Sequence, residues 1–128
     1  RRSSDLQAVA EASGCAVIEA VPVDGPESLE RARRSAADLV LLDASVPGWH
    51  GGTGRRFDWG LLAERPLGRP VVLAGGLTPE NVGEAVEAVR PYAVDVASGV
   101  ESSPGVKDLD RVRRLIERAR AVGREVAR

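Results

Sequence analysis

The chain has 128 residues, of which 43% are apolar and 29% charged, a composition that suits one soluble globular domain spanning residues 1–128. Its 18 Lys and Arg are offset by 19 Asp and Glu, which excludes the basic footprint of a nucleic-acid or anionic-membrane binder. No apolar run reaches the about 18 residues of a membrane span, and the single cysteine, Cys15, excludes an intrachain disulfide and points to a reducing, cytoplasmic setting.

The opening stretch "RRSSDLQAVAEASG" carries charge but no apolar core of a signal peptide. It has no initiator Met, and the chain contains no Met at all, so the sequence reads as starting inside a longer gene product. A helix is predicted over residues 5–12. "CAVIEAVPV" (15–23) is then an apolar, β-branched strand between Gly14 and Asp24-Gly25-Pro26, followed by a short helix over 28–36. "ADLVLLDA" (37–44) is a second strand. A glycine-rich connection, "SVPGWHGGTGRRF", leads to a short helix over 58–65 with Asp58 placed to cap it. "RPVVLAGG" (69–76) is the third strand, and Thr78 with Pro79 behind it opens a helix to about Val89. "YAVDVASG" (92–99) is the fourth strand. The last helix covers 108–123, with Asp108 as cap and Leu109, Val112, Leu115, Ile116 and Ala119 on one face. The arginines at 111, 113, 114, 118, 120 and 124 are interleaved with acids and alanines, the pattern of a solvated helix face.

The strands are continuous apolar runs, which suggests burial on both faces of a parallel sheet. Four βα units in succession give an α/β class. They fit an open doubly wound sheet or a piece of a (β/α)8 barrel, which needs about 200–250 residues in all; pattern alone does not choose. In both, ligands sit at the C-terminal ends of the strands, and three strand ends carry unusual residues: Asp43, Gly75-Gly76 and Ser98-Gly99. Glycines after a strand leave backbone N–H groups uncovered, and two such ends on neighbouring strands can converge on one phosphate, with "GVESSPG" long enough for a short extra helix. The alternative is that they are turn residues only. Asp43 ends an apolar strand, where partial desolvation suits a general acid; it can equally cap or bond the loop that follows. Asp95 lies inside the fourth strand and has a structural or a functional reading. The long connection at 45–57 has the length of a substrate-covering loop. His50 in it is alone and has no metal-ligand partners at suitable spacing. Trp49 and Trp59 could flank an aromatic substrate, although Trp59 is better placed to fasten helix to sheet.

"LLDASVPGWHGGTGRRFDW", "VVLAGGLTPENV" and "VDVASGVESSPGVKD", in this order and spacing, resemble the phosphoribosylanthranilate isomerase family of tryptophan biosynthesis, over roughly residues 5–122. The resemblance implies a (β/α)8 TIM barrel, with the four parallel βα units as barrel strands five to eight, the C-terminal half. It implies an Amadori rearrangement of N-(5-phosphoribosyl)anthranilate to 1-(2-carboxyphenylamino)-1-deoxyribulose 5-phosphate, with no cofactor and no metal. It makes Asp43 the catalytic general acid that opens the ribose ring, Gly75, Gly76, Ser98 and Gly99 the phosphate site, and Gly51, Gly52, Thr53 and Gly54 the substrate loop after strand six. The family's general base, a cysteine in a Lys-x-Cys-Gly strand end, has no counterpart, and Cys15 sits at the start of a strand, at the opposite end from the site. The N-terminal half of the pattern is absent. The implied partner is a phosphorylated small molecule, and open sheet edges would favour self-association or pairing with the missing half. A non-catalytic phosphate-binding half-barrel, or another phosphate-binding barrel of tryptophan or histidine biosynthesis, remains the alternative.

Overall fold

The structure, a computed structural model, describes residues 2–45 and 59–126. Its elements run α1 (Arg2–Ser13), β1 (Ile18–Pro22), α2 (Pro26–Arg33), β2 (Leu39–Asp43), α3 (Gly60–Glu64), β3 (Val71–Ala74), α4 (Val82–Val89), β4 (Ala93–Asp95), a 3₁₀ turn (Ser98–Val100), β5 (Glu101–Ser103), β6 (Val106–Lys107) and α5 (Leu109–Val126). The predicted elements are all present, with the strands trimmed at both ends. The expected short helix in 99–105 is instead the 3₁₀ turn and an antiparallel β5–β6 hairpin. Pro104-Gly105, with Gly105 at φ +80°, turns the chain back where a helix would have continued.

The four long strands pair in parallel in the order β1-β2-β3-β4, the order in which they occur along the chain. A doubly wound sheet reverses its strand order partway and places helices on both faces. Among the described residues the strand order does not reverse, and α2, α3, α4 and α5 share one packed layer. The register sets Val21 beside Leu42 and Leu42 beside Leu73. These residues, with Val40, are fully buried and share one core with Leu29 and Ala32 of α2, Leu62 of α3 and Ala85 of α4. Helix α5 extends the same layer: Leu115 and Val122 pack with Val82 and Val86 of α4 and with Val94 of β4. Successive connections therefore return on one side of the sheet, as in the wall of a barrel.

The opposite face of the sheet carries Ile18, Ala20 and Pro22 of β1, then Leu39, Leu41 and Asp43 of β2, Val72 and Ala74 of β3, and Ala93 and Asp95 of β4. The expectation of strands buried on both faces holds only for β3; β1 and β2 alternate, and Ile18 is 53% exposed. The continuous apolar runs correspond to a face that, among the described residues, no second layer covers.

Helix boundaries follow local chemistry. In α2, Pro26 takes the first helical position, which needs no N–H, and Ser28 Oγ donates to Gly25 O at 2.6 Å. Regular helix in α4 begins at Val82, later than predicted, yet Thr78 does cap it: Asn81 N donates to Thr78 Oγ1 at 3.2 Å and Thr78 N donates to Asn81 Oδ1 at 2.8 Å, a reciprocal capping box. Asp108 caps α5, its Oδ1 accepting from the N–H groups of Asp110 (3.0 Å) and Arg111 (3.2 Å). The apolar stripe of α5 is rotated from the predicted one. Val112, Leu115, Ala119 and Val122 face inward, while Leu109 is 75% and Ile116 40% exposed. Trp59 packs into the main core, as the helix-to-sheet reading expected. Asp58, the predicted cap of α3, lies outside the described residues.

Candidate functional site

A cavity of about 210 Å3 opens at the C-terminal ends of β2, β3 and β4, lined by Asp43, Ser45, Gly75, Gly76, Asp95, Ser98 and Gly99 among others. Every strand-end residue singled out from the sequence within the described region reaches this one place. Register explains why. Asp43 and Asp95 each stand opposite Ala74, one strand to either side, so their side chains leave the same face at the same level. Two strand spacings separate them, roughly 9.5 Å. Asp95, with no assigned role from the sequence, is thus a site residue and not a core one; it is exposed at the rim.

Asp43 is half-buried. Its Oδ1 accepts hydrogen bonds from Ser45 N at 2.9 Å and Ser45 Oγ at 2.6 Å. The carboxyl therefore lines the cavity and also bonds the loop that follows, as the loop-bonding reading expected. Ser45, not singled out beforehand, orients it. Such Asx-turn bonding is a habit of aspartate two residues before a polar N–H, so "Asp-Ala-Ser" carried the signal.

The three glycines owe their identity to different causes. Gly75 (φ +90°) lies on the Asp43–Ser45 turn: a Cβ would stand 2.5 Å from Asp43 Oδ1, 2.7 Å from Ala44 N and closer still to Ser45 N. A Cβ on Gly99 would overlap the Leu77 carbonyl oxygen. Gly76 adopts φ +71°, a left-handed conformation that suits glycine. Close approach is thus the requirement at Gly75 and Gly99, and there the approaching backbone is the protein's own.

The two turns are gripped from the helix layer. Asn81 Nδ2 donates to Gly76 O at 2.9 Å. Arg111 donates to Gly99 O through Nε at 3.1 Å and Nη2 at 2.8 Å, and its Nη2 also meets Glu80 Oε1 at 3.3 Å. Arg111 is therefore not part of a purely solvated face. In the loop beyond, Lys107 Nζ donates to Ala97 O at 3.0 Å and pairs with Glu101 Oε2 at 2.6 Å. That hydrogen bond, foremost, holds the Glu101 carboxyl below the usual carboxylate range.

Gly51, Gly52, Thr53 and Gly54, with Trp49 and His50, lie outside the described residues. Cys15 is exposed and precedes β1, at the end of the sheet away from the cavity. A larger hollow, about 720 Å3, also lies at that far end, beside Pro70, Arg90 and Tyr92 ahead of β3 and β4. None of the strand-end residues reaches it. Among the described residues no helix is long and apolar enough to cross a membrane.

A family model for N-(5'-phosphoribosyl)anthranilate isomerase matches residues 3–118. An N-(5'-phosphoribosyl)anthranilate isomerase of Myxococcus xanthus is 51% identical over 114 residues, which cover 85% of this chain and 53% of the relative. Among solved structures, phosphoribosyl anthranilate isomerase from Thermotoga maritima superposes with a TM-score of 0.70 at 36% identity, covering 94% of this chain and 69% of the other. A phosphoribosyl anthranilate isomerase in complex with reduced 1-(o-carboxyphenylamino)-1-deoxyribulose 5-phosphate gives 0.67 at 34% identity, with coverage of 94% and 68%. The chain spans about half the length of the curated relatives it matches. With the family model matched over most of its residues, and with its parallel sheet superposing on the solved isomerases, this chain belongs to the N-(5'-phosphoribosyl)anthranilate isomerase family.

Proposed function

We propose that this chain carries the general acid and the phosphate site of an N-(5'-phosphoribosyl)anthranilate isomerase acting in cytoplasmic tryptophan biosynthesis. The observation that carries the reading is the meeting of Asp43, Asp95 and the two glycine turns at one cavity on the C-terminal side of a singly wound sheet. In this reading residues 1–128 form one unit, barrel strands five to eight, and four further βα units complete the barrel. The uncovered sheet face and the half-length match to curated relatives both favour that division.

The substrate phosphate sits against backbone N–H groups of Gly75-Gly76 and Ser98-Gly99, which need no mobile cation to hold an anion. That places the ribose over the strand ends, between Asp43 and Asp95. Ser45 occupies Asp43 Oδ1, so Oδ2 is the oxygen presented to the substrate. Its proton passes to the ribose ring oxygen as the bond from that oxygen to C1 breaks and the anilino nitrogen lone pair forms the C=N bond. A base then removes the C2 proton, giving an enolamine. Transfer of the C2 hydroxyl proton away and protonation of C1 yields the 2-keto product. Asp95, exposed at the rim, is placed to accept hydrogen bonds from ribose hydroxyls. The family resemblance assigns Gly51, Gly52, Thr53 and Gly54 to the substrate loop in this reading.

The base comes from outside this chain. Cys15 is at the wrong end of β1 for it, and this is the observation favouring a second reading, a phosphate-binding half-barrel without turnover. One experiment separates them. The complete protein, with its preceding half, is assayed by the fluorescence change of the anthranilate group. Asp43→Asn should leave KM near that of the parent and lower kcat by about 10²–10⁴-fold, the usual contribution of a general acid. A variant with near-parental kcat would remove Asp43 from the chemistry, and an inactive complete protein that still binds phosphate would establish the second reading.

A further inference from the structure

The side chains that seize the two glycine turns come from outside the strands. Asn81 is 9% exposed and is fully engaged: Oδ1 accepts from Thr78 N, and Nδ2 donates to Gly76 O. Arg111, from the first turn of α5, donates twice to Gly99 O. Glu80, the neighbour of Asn81, pairs with Arg111 at 3.3 Å and Arg114 at 3.4 Å. The start of α4 and the start of α5 are thereby tied together, and each also holds one glycine carbonyl. In a trans peptide C=O and N–H point in opposite directions. Drawing Gly76 O toward Asn81 turns the Leu77 N–H of the same peptide away from the helix layer. Drawing Gly99 O toward Arg111 fixes the 3₁₀ turn whose leading residues, Ser98 and Gly99, line the cavity.

We propose that Asn81, Glu80 and Arg111 form a clamp that presets both glycine turns as a single anion-binding surface, acting as positioning residues that never touch the ligand. This rests on the phosphate-site reading above. Preorganised N–H donors lose little freedom when an anion arrives, so slack in the turns weakens binding of the phosphate without altering proton transfer at Asp43. The two turns are coupled, because the Glu80–Arg111 pair joins the elements that hold them.

The test uses the complete protein, with inorganic phosphate as a competitive probe beside the full substrate. Arg111→Met keeps the side-chain stem and loses the bonds to Gly99 O. It should raise the inhibition constant for phosphate and the substrate KM together by about 10-fold, the size of one charged hydrogen bond, with kcat within about twofold. Arg111→Lys, which retains a single donor, should recover part of the loss. Arg113→Met, which removes only an exposed ion pair with Asp110, should change neither constant. Asn81→Asp, which replaces the donor to Gly76 O with an acceptor, should repeat the Arg111→Met effect; if it fails to fold, the Arg111 series decides alone. A lowered Tm in Arg111→Met with phosphate binding unchanged would overturn the clamp and leave a purely structural contact. If the parent itself binds no phosphate, it is the phosphate-site reading that fails, and the clamp falls with it.

Discussion

At Gly99 a single hydrogen stands where any side chain would collide with the Leu77 carbonyl oxygen. Gly105, by contrast, has a left-handed backbone, φ +80°, with open space around it. The pair separates two costs that substitution scans usually mix. Gly105→Ala brings backbone strain alone, about 1–2 kcal/mol. Gly99→Ala drives a methyl into backbone that cannot rotate away, an overpacking term of about 1–3 kcal/mol or more, and displaces the turn that lines the cavity. Thermal unfolding should therefore show a clearly larger loss of Tm for Gly99→Ala than for Gly105→Ala, and only the former should weaken phosphate binding. Equal losses would mean that the Leu77 contact relaxes freely. Asp43 shows a comparable density of contacts: its Oδ1 is held by both the N–H and the hydroxyl of Ser45 while the carboxyl lines the cavity.

The β5–β6 hairpin is the element most open to a pH test. Its ends are closed by Lys107, which joins Glu101 and the carbonyl of Ala97 just ahead of the 3₁₀ turn. The Glu101 carboxyl is held low chiefly by the Lys107 hydrogen bond, with burial opposing and the Gly105 N–H and the Lys107 charge assisting. A folded-state value below the unfolded one means that the stabilisation is present above the ordinary glutamate range, about 4.3, and is lost as pH falls through the lowered value. Glu101→Gln should therefore lower Tm near neutral pH, and the gap from the parent should close below about pH 4. A gap that persists at low pH would assign the effect to packing. Asp108 and the Thr78–Asn81 box act on the same scale: each starts a helix close behind a glycine turn, so capping and site construction share residues.

At the largest scale, the decisive feature is the sheet with α2, α3, α4 and α5 on one side. Ile18, Ala20, Leu39, Leu41 and Ala93 lie on the other face, and β1 and β4 are its two outer strands. An apolar face and two strand edges favour pairing with another polypeptide. The 128-residue chain expressed alone should associate with itself and should lose that tendency when co-expressed with the preceding half of a family member. Size-exclusion chromatography across protein concentration reads this directly. A stable monomer at high concentration would mean that the face is covered from within the chain itself.

The sequence by itself determined what depends on near neighbours. Apolar runs with flanking turn residues marked the four strands and the helix behind each, Asp108 and Thr78 marked helix starts, and strand ends marked Asp43 and the glycines, because capping, turn chemistry and strand polarity act within a few residues. The family motifs were legible for the same reason, being short and each confined to one strand end. Other properties join residues distant along the chain and left no local mark. Strand order and the single helix layer decided between barrel wall and doubly wound sheet, because only pairing across βα units says which strand follows which. Asp95 came to line the cavity through its register with Ala74. Arg111 looked like one more solvated arginine until α5 placed it against Gly99, 12 positions away. Asn81 was half legible, since Thr-x-x-Asn resembles a capping box, but its grip on Gly76 needed the turn to fold back over it. The glycine pairs show the division most sharply: their spacing announced a close approach of backbone, and only packing disclosed that Leu77 and the Asp43–Ser45 turn are what approach.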